Sequence, residues 1–391
     1  MRYLECSGTP REIGRGQGEA YRAEIQNRWL HEITPLLNTL AKDNANYEAR
    51  ASQIHRQTLQ FLEARAPAIL EEIRGLGEGA QLSFEQALTL STYNSLSVMS
   101  GNQGGKSHLD QIQTEEYIPE GCSALAFSAS PAGPFLMKTY DPFGKPEIDS
   151  DEKRLQKAVQ EHRGLYVLKA KYRGGTTNLG MRMAGSVWAE SGVSTHGLAF
   201  ASASLHPKLY PQKAQALPQH CIGTLVINGY TTTSQARKEL PNVPLFGKGY
   251  AMTIGDQGGD CIGVEKTGIF TGINEAEAGL AFQTNHLRAP EMEKAGREQD
   301  PEFWQSSYHL NSSNRVKNIR RRLPDWNAMT NFDELTRDLF HAGDEGDLIQ
   351  NSTEQCQYWI TTWGALIFPQ SGEFWLSEGL PEKREWQKWK L

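Results

Sequence analysis

Residues 121–127 read Gly-Cys-Ser-Ala-Leu-Ala-Phe, an apolar run that is typical of a buried β-strand. Residues 101–120, GNQGGKSHLDQIQTEEYIPE, come directly before it and offer almost nothing to bury. They predict an exposed, mobile loop. A loop that ends on a small residue, Gly121, at the start of a buried strand places the Cys122 thiol where it can reach the preceding carbonyl.

An isolated cysteine at the start of a strand is commonly an inert core residue. The position of Cys122 also suits self-cleavage, in which its thiol attacks the Gly121 carbonyl and water then hydrolyses the resulting thioester. The product would begin with Cys122 and carry a free α-amino group. An α-amino group has an ordinary pKa of about 7.7–8.0, so it can act as the base for its own thiol without a histidine.

Upstream of this stretch, residues 1–100 are predicted to be mostly helical. Capping boxes begin helices at Thr9 and Ser83, each with its partner three residues later. A third helix is predicted to begin at Pro67 and stop at Gly75/Gly77. Gly14 and Gly18 lie on one helix face and favour close packing, because the glycine pattern of a dinucleotide loop is incomplete.

Downstream, short β-type segments dominate. A helical insert is predicted over residues 218–240, a helix over 312–322 and another from Asn331, before a closing hairpin of 358–369 with 373–379. The strand segments are PFLMKTYD (134–141), GLYVLKAKY (164–172), TNLGMRMAG (177–185), GVSTHGLAFAS (192–202), YAMTIGD (250–256), CIGVEKTG (261–268) and LAFQTNH (280–286). Helices followed by strands and further helices indicate an α+β fold with antiparallel sheets covered by helices.

The composition excludes several classes of protein. The 391 residues carry a net charge of −6, which disfavours nucleic acid as a partner. The first residues lack an apolar run of signal-peptide length, and no apolar stretch is long enough to span a membrane, so we expect a soluble, cytoplasmic protein. Five scattered cysteines fit neither a disulfide framework nor a zinc site, and we expect no bound metal.

Eight segments in order resemble the penicillin acyltransferase-like proteins, the acyl-coenzyme A:6-aminopenicillanate acyltransferase or C45 peptidase group of N-terminal-nucleophile hydrolases. They are GTPREIGRGQGEAYRAEI (8–25), EGCSALAF (120–127), MKTYDP (137–142), GVSTHGL (192–198), IGDQGGDCIGVE (254–265), QTNHL (283–287), SSNR (312–315) and TTWGALIFPQSGEFWLSEG (361–379). The resemblance implies a four-layer αββα fold with two stacked antiparallel sheets. It also implies cleavage between Gly121 and Cys122 into residues 1–121, which stay associated as a partner chain, and the catalytic chain 122–391.

The resemblance carries over four catalytic positions. Cys122 matches the nucleophile, and Asp141 matches the aspartate that holds the nucleophile's amine. Asn285 matches the asparagine that donates to the tetrahedral oxygen, and Arg315 matches an arginine near the nucleophile whose charge would favour the thiolate. The expected reaction is hydrolysis or transfer of a small acyl group from an amide or thioester, with a coenzyme A thioester as one acyl donor and no cofactor.

The sequence departs from the family where relatives contact substrate. Lys138 and Thr139 stand where relatives carry arginine and asparagine, and Ser194 replaces an asparagine. We expect Lys138 and Ser194 to contact substrate. The aromatic residues Tyr140, Phe143 and Trp188 are candidates to line an apolar acyl pocket, although aromatics beside strands are commonly core residues.

Two rival interpretations remain. A papain-like enzyme would pair Cys122 with His196 or His286 and need no chain cleavage. A non-catalytic binding protein could also retain the fold.

Overall fold

The computed structural model describes residues 1–43, 45–100, 121–141, 164–205, 216–247, 249–268, 270–341, 348, 361–379 and 385–391. The predicted loop 101–120 and Phe143 lie outside the described residues. Within the described part, no helix is both long and apolar enough to cross a membrane.

Two large β-sheets occupy the centre of the molecule. The eight-stranded sheet contains, in spatial order, β1 (Arg2–Gly8), β4 (Leu165–Tyr172), β5 (Thr177–Met183), β6 (Ala189–Ser194), β7 (Leu198–Ser204), β10 (Tyr250–Asp256), β11 (Cys261–Lys266) and β12 (Thr271–Glu275). The six-stranded sheet contains β13 (Leu280–Gln283), β2 (Gly121–Phe127), β3 (Phe135–Asp141), β14 (Trp363–Phe368), β15 (Glu373–Glu378) and β16 (Gln387–Lys390). A small two-stranded sheet pairs β8 (Leu217–Pro218) with β9 (Leu245–Phe246).

Helices cover both outer faces. Against the eight-stranded sheet lie α1 (Pro10–Ala20), α2 (Arg22–Arg28), α4 (Tyr47–Arg65), α5 (Pro67–Ala80), α6 (Phe84–Ser100), α7 (Ile222–Gly229) and α8 (Thr233–Glu239). The helix α3 (Thr34–Asp43) follows a π-helical turn, Trp29–Ile33. The helix α9 (Pro290–Gln299) packs against β12 at the edge of the eight-stranded sheet, and α10 (Pro301–Trp304) follows it. On the outer face of the six-stranded sheet lie α11 (Ser307–Ala328) and α12 (Phe332–Leu339). The predicted four-layer αββα fold is confirmed.

Alternation along β2 decides which side chains face the other sheet. Cys122, Ala124 and Ala126 belong to the core between the two sheets, whereas Leu125 and Phe127 belong to the core beneath α11 and α12. Successive side chains of a strand point to opposite faces, so neighbours in the sequence enter different layers. The Cys122 thiol therefore lies between the sheets.

Several local predictions are confirmed. Both capping boxes form: Thr9 with Glu12, and Ser83 with Gln86. The helical insert forms α7 and α8, Asn331 caps α12, and β14 and β15 make the closing antiparallel pair. The helix predicted over 312–322 is longer, since α11 spans Ser307–Ala328.

The N-terminal region is mostly helical as predicted, but the structure adds a strand that was not predicted and overturns one helix end. Residues 2–8 form a strand, β1, which pairs parallel with β4, so the eight-stranded sheet is not purely antiparallel. The helix α5 does not stop at Gly75/Gly77 but continues to Ala80, after which Gln81 adopts a left-handed conformation (φ 58°). Gly75 instead allows contact with α1, because a Cβ there would lie 1.9 Å from the Arg11 carbonyl oxygen.

Candidate active site

The site is built around Cys122, the second residue of β2. Register pairs it with Tyr140 on β3, and its side chain is 1% exposed. Burial raises the pKa of the thiol to about 12, and the neighbouring carboxylates of Glu190 and Asp141 act in the same direction. The opposing influence is the nearby Lys138 ammonium, whose charge lowers the pKa of the thiol.

Lys138 reaches the thiol from the next strand and is completely buried. Its Nζ lies 2.9 Å from Oε1 of Glu190, which projects from β6 of the facing sheet. Burial alone would lower the pKa of Lys138, but Cys122 and Glu190 hold it above its ordinary value. This ion pair between the sheets keeps a cation beside the sulfur.

Glu190 was not identified from the sequence. It occupies an irregularity in the β5–β6 pairing, where Arg182 pairs with Ala189 and Met181 with Ser191, so Glu190 has no partner in the register. Such bulges re-aim a side chain and are common beside active sites. Its one sequence signal is a single carboxylate in a strand of small, uncharged residues, AESGVS (189–194).

Aromatic rings surround the ion pair. Tyr140 and Trp363 stack at 5.5 Å between ring centroids, and the Lys138 Nζ lies 5.8 and 5.6 Å from those centroids. Trp188 donates from Nε1 to the Tyr250 hydroxyl at 2.8 Å, and that hydroxyl lies 3.2 Å from Glu190 Oε2. A polar chain thus connects Trp188 to Glu190, and through Glu190 to Lys138.

Asp141 lies at the end of β3, opposite Gly121 in the register. Its carboxylate is fully buried and accepts hydrogen bonds from Thr361 Oγ1 at 2.6 Å and Thr139 Oγ1 at 3.2 Å. Burial raises the pKa of Asp141 to about 6, opposed chiefly by the charge of Arg315. Thr361, to which no sequence pattern pointed, is the closer of the two hydroxyl donors.

Asn285 and Arg315 hold the backbone of Cys122. The Cys122 N–H donates to Asn285 Oδ1 at 2.9 Å, and the Cys122 carbonyl accepts from Arg315 Nη1. Arg315 Nη1 also donates to Ser123 Oγ at 3.0 Å, and its Nη2 donates to Asn285 Oδ1 at 2.7 Å. The guanidinium therefore fixes the geometry of the Cys122 backbone, while the cation beside the thiol is Lys138.

The Asn285 amide nitrogen has a different neighbour from its oxygen. Nδ2 donates to the Ser204 carbonyl at 3.0 Å, which leaves the second hydrogen of the –NH2 group for another acceptor. Asn285 lies two residues beyond Gln283, the last residue of β13, and Gln283 pairs with Ala124 of β2. The short extension of that strand brings Asn285 beside Cys122.

The predicted substrate-contact residues are divided by the fold. Lys138 and Tyr140 lie at the thiol, and Trp188 reaches it through Tyr250 and Glu190. Ser194 neighbours Val193, which faces the core between the sheets, so by alternation Ser194 points to the opposite, helix-covered face. Its role in substrate binding stays a prediction.

The two candidate histidines have other neighbours. His196 Nε2 lies 2.5 Å from Thr176 Oγ1 in the turn after β6. His286 Nδ1 lies 2.8 Å from Ser312 Oγ, and burial lowers the pKa of His286 well below its ordinary value. Neither contact favours a papain-like dyad with Cys122. In the described part of the chain, no three His, Cys, Asp or Glu side chains are grouped to hold a metal ion.

The chain is similar to a known family and to individual known proteins. Residues 129–375 match the family described as acyl-coenzyme A:6-aminopenicillanic acid acyl-transferase. The 40 kDa form of acyl-coenzyme A:6-aminopenicillanic-acid-acyltransferase from Emericella nidulans is 32% identical over 92 residues, which cover 24% of this chain and 25% of that protein. The match thus spans about a quarter of the length of this curated relative.

Two solved structures are also similar. The conjugated bile acid hydrolase from Clostridium perfringens has 11% identity and a TM-score of 0.44, covering 69% of this chain and 97% of that chain. The penicillin V acylase from Agrobacterium tumefaciens has 13% identity and a TM-score of 0.45, covering 69% of this chain and 86% of that chain.

Proposed function

Because the chain belongs to the acyl-coenzyme A:6-aminopenicillanic acid acyl-transferase family, we propose that it is a self-cleaving N-terminal-nucleophile enzyme that hydrolyses or transfers small acyl groups through an acyl-enzyme on Cys122. The observation that carries the proposal is the pair of hydrogen bonds to the Cys122 backbone. Asn285 binds its nitrogen and Arg315 its carbonyl. Such contacts orient a residue whose own nitrogen takes part in the chemistry.

Activation begins with attack of Cys122 Sγ on the Gly121 carbonyl carbon. The Gly121–Cys122 amide bond breaks as the thioester forms, and the Cys122 nitrogen takes the proton to become an amine. Water then hydrolyses the thioester, which leaves a carboxylate on Gly121 and a free thiol on Cys122. Residues 1–121 become a partner chain of the catalytic chain 122–391.

In turnover, the new α-amine accepts the thiol proton and the thiolate attacks the acyl carbonyl of an amide or a coenzyme A thioester. The tetrahedral intermediate expels the amine or thiol leaving group, which takes a proton from the ammonium. Water or an amine acceptor then removes the acyl group from sulfur, so hydrolysis and transfer share the first half-reaction.

Each polar neighbour has a role in this scheme. The Lys138 ammonium favours the thiolate, and the Asp141 carboxylate stabilises the ammonium formed during attack. Asn285 keeps its oxygen on the Cys122 nitrogen and offers its second N–H to the developing oxyanion. Arg315 donates to both the Asn285 side chain and the Cys122 carbonyl and so holds them in their relative positions.

Intact-mass analysis under denaturing conditions tests the proposal. Wild-type protein should separate into fragments of 121 and 270 residues, whereas Cys122→Ala should remain whole. Cys261→Ala is the matched control, because Cys261 is another buried strand cysteine in the core between the sheets and should leave cleavage intact.

Activity should follow cleavage when the processed protein is screened with acyl-amides, amino-acid conjugates, and acyl-coenzyme A with small amines. A wild-type chain that stays intact after long incubation contradicts the proposal. If that intact chain also showed thiol-dependent activity, the papain-like alternative would gain support.

A further inference from the structure

Asn285 lies just beyond β13, so its backbone N–H has left the strand ladder that ends at Gln283. The N–H donates instead to Ser312 Oγ of α11 at 2.8 Å. Ser312 and Asn285 are both fully buried. The last contact that orients the Asn285 backbone therefore comes from a helix side chain.

The Ser312 hydroxyl has two further neighbours. Its Oγ lies 2.9 Å from Thr284 Oγ1 and 2.8 Å from His286 Nδ1. Thr284 Oγ1 also lies 3.3 Å from the Ser312 carbonyl, to which it can donate. A serine hydroxyl has one proton to donate and two lone pairs to accept with, so it can accept from Asn285 while donating to one of these neighbours.

Ser312 and Arg315 lie three residues apart, on one face of α11. Ser312 binds the backbone N–H of Asn285, and Arg315 Nη2 donates to its side-chain oxygen at 2.7 Å. One turn of α11 thus binds both the backbone N–H and the side-chain oxygen of Asn285.

We propose that Ser312 is a positioning residue, which acts through Asn285 to hold that side chain against the Cys122 nitrogen. The inference rests on the proposed function and deepens it, since it names the group that aligns Asn285 for catalysis. Small displacements of an aligned catalytic group can cost on the order of 10²-fold in rate. Without the hydroxyl, the Asn285 N–H would be buried without its acceptor and the peptide would shift.

Kinetics of the processed enzyme provide the first test. Ser312→Ala should lower kcat by about 10- to 100-fold with little change in KM, because it loosens alignment and spares substrate contacts. Ser313→Ala is the matched control: this neighbouring hydroxyl bonds the Leu310 carbonyl on the outer side of the same helix, and its loss should leave kcat unchanged.

A double-mutant cycle separates positioning from a general packing role. If Ser312 acts through Asn285, Ser312→Ala should cost little further kcat in an Asn285→Ala enzyme. Full additivity of the two losses overturns the inference, as does an unchanged kcat in Ser312→Ala alone.

A crystal structure of Ser312→Ala supplies a readout that needs no substrate. Asn285 should shift and lose its contact with the Cys122 nitrogen, while an unmoved Asn285 overturns the inference. Failure of the proposed function would look different: the wild-type chain would neither cleave nor turn over acyl substrates, whatever the position of Asn285 in the variant.

Discussion

At the residue scale, two cations lie near Cys122, on opposite faces of one strand. Lys138 lies on the thiol side, between the sheets, whereas Arg315 lies on the side of α11 and binds the Cys122 carbonyl. The separation follows from strand alternation, which sends the Cys122 side chain one way and Ser123 the other. Lys138 therefore affects the ionisation of the thiol, whereas Arg315 orients the Cys122 backbone.

Asp141 provides a pH-dependent prediction. Its folded-state pKa of about 6 is raised above the unfolded value of about 3.9, so the folded state holds the proton more tightly. The contribution of Asp141 to stability is therefore greatest in acid and is lost as pH rises from about 4 to 6. We compare Asp141→Asn with its parent, both in a Cys122→Ala chain. The substitution should raise the free energy of unfolding by about 1 kcal/mol more at pH 7.5 than at pH 5.

Urea unfolding at the two pH values measures this difference. The exposed Asp325→Asn change is the control and should alter stability equally at both values. In processed enzyme, Asp141→Asn should also lower kcat, because the Cys122 ammonium loses its carboxylate. Equal stability effects at both pH values would contradict the raised pKa.

At the element scale, the pair α1 and α5 is held by contact between backbones. A Cβ at Gly14 would lie 2.0 Å from the Glu72 carbonyl oxygen, and one at Gly18 would lie 2.4 Å from that of Leu76. Only glycine allows such approach, so these residues serve packing, as the sequence predicted. Their α5 counterpart Gly75, predicted to stop the helix, serves the same contact.

Two glycines of α5 form a matched test of this contact. Alanine gains about 1 kcal/mol over glycine inside a helix, and Gly75 and Gly77 share that gain. Gly75→Ala would meet the Arg11 carbonyl and should destabilise by about 1–3 kcal/mol overall. Gly77→Ala meets only the Ala87 Cβ at 3.0 Å and looser atoms, so it should be close to neutral.

The denaturant midpoints of the Gly75→Ala and Gly77→Ala variants test whether α1 and α5 are in backbone contact at Gly75. Equal midpoints would mean that α1 and α5 are not in backbone contact at Gly75. A lower midpoint for Gly75→Ala alone supports the packing role.

At the scale of the whole molecule, the N-terminal hundred residues are part of the central fold. Strand β1 pairs with β4 over seven residues, and α1 and α5 share a buried core with that strand. Gln17 joins the two parts through Tyr166 Oη at 2.7 Å, and Arg28 through the Ala184 carbonyl at 3.0 Å. Cutting the chain before Cys122 would leave all of these contacts in place.

We therefore expect the two cleavage products to elute together in native size-exclusion chromatography and to separate only in denaturant. Residues 122–391 expressed alone should aggregate, because β4 would expose the edge that β1 pairs with and the apolar face that α1 and α5 cover. The intact Cys122→Ala protein is the control for elution volume. Fragments that separate without denaturant would contradict this expectation.

Much of the architecture could be predicted from local signals. Caps at Thr9, Ser83 and Asn331 act within one helical turn, and alternation within the strands is also local, so both are visible in sequence. The parallel strand β1 was missed because its short, polar run RYLECSG pairs with β4, far along the chain. Partners at such separation leave no local pattern.

The sequence by itself predicted most of the strands and a cleavage junction at Gly121–Cys122, and its resemblance to a known family supplied the candidates Asp141, Asn285 and Arg315. Only the tertiary structure decided which face each side chain takes and what it meets. In the structure, Glu190 forms an ion pair with Lys138 of the facing sheet, and Ser194 lies on the helix-covered face. The Ser312 hydroxyl accepts a hydrogen bond from the Asn285 backbone N–H. These pairings depend on register and sheet stacking, and neither is recorded in the spacing of residues along the chain.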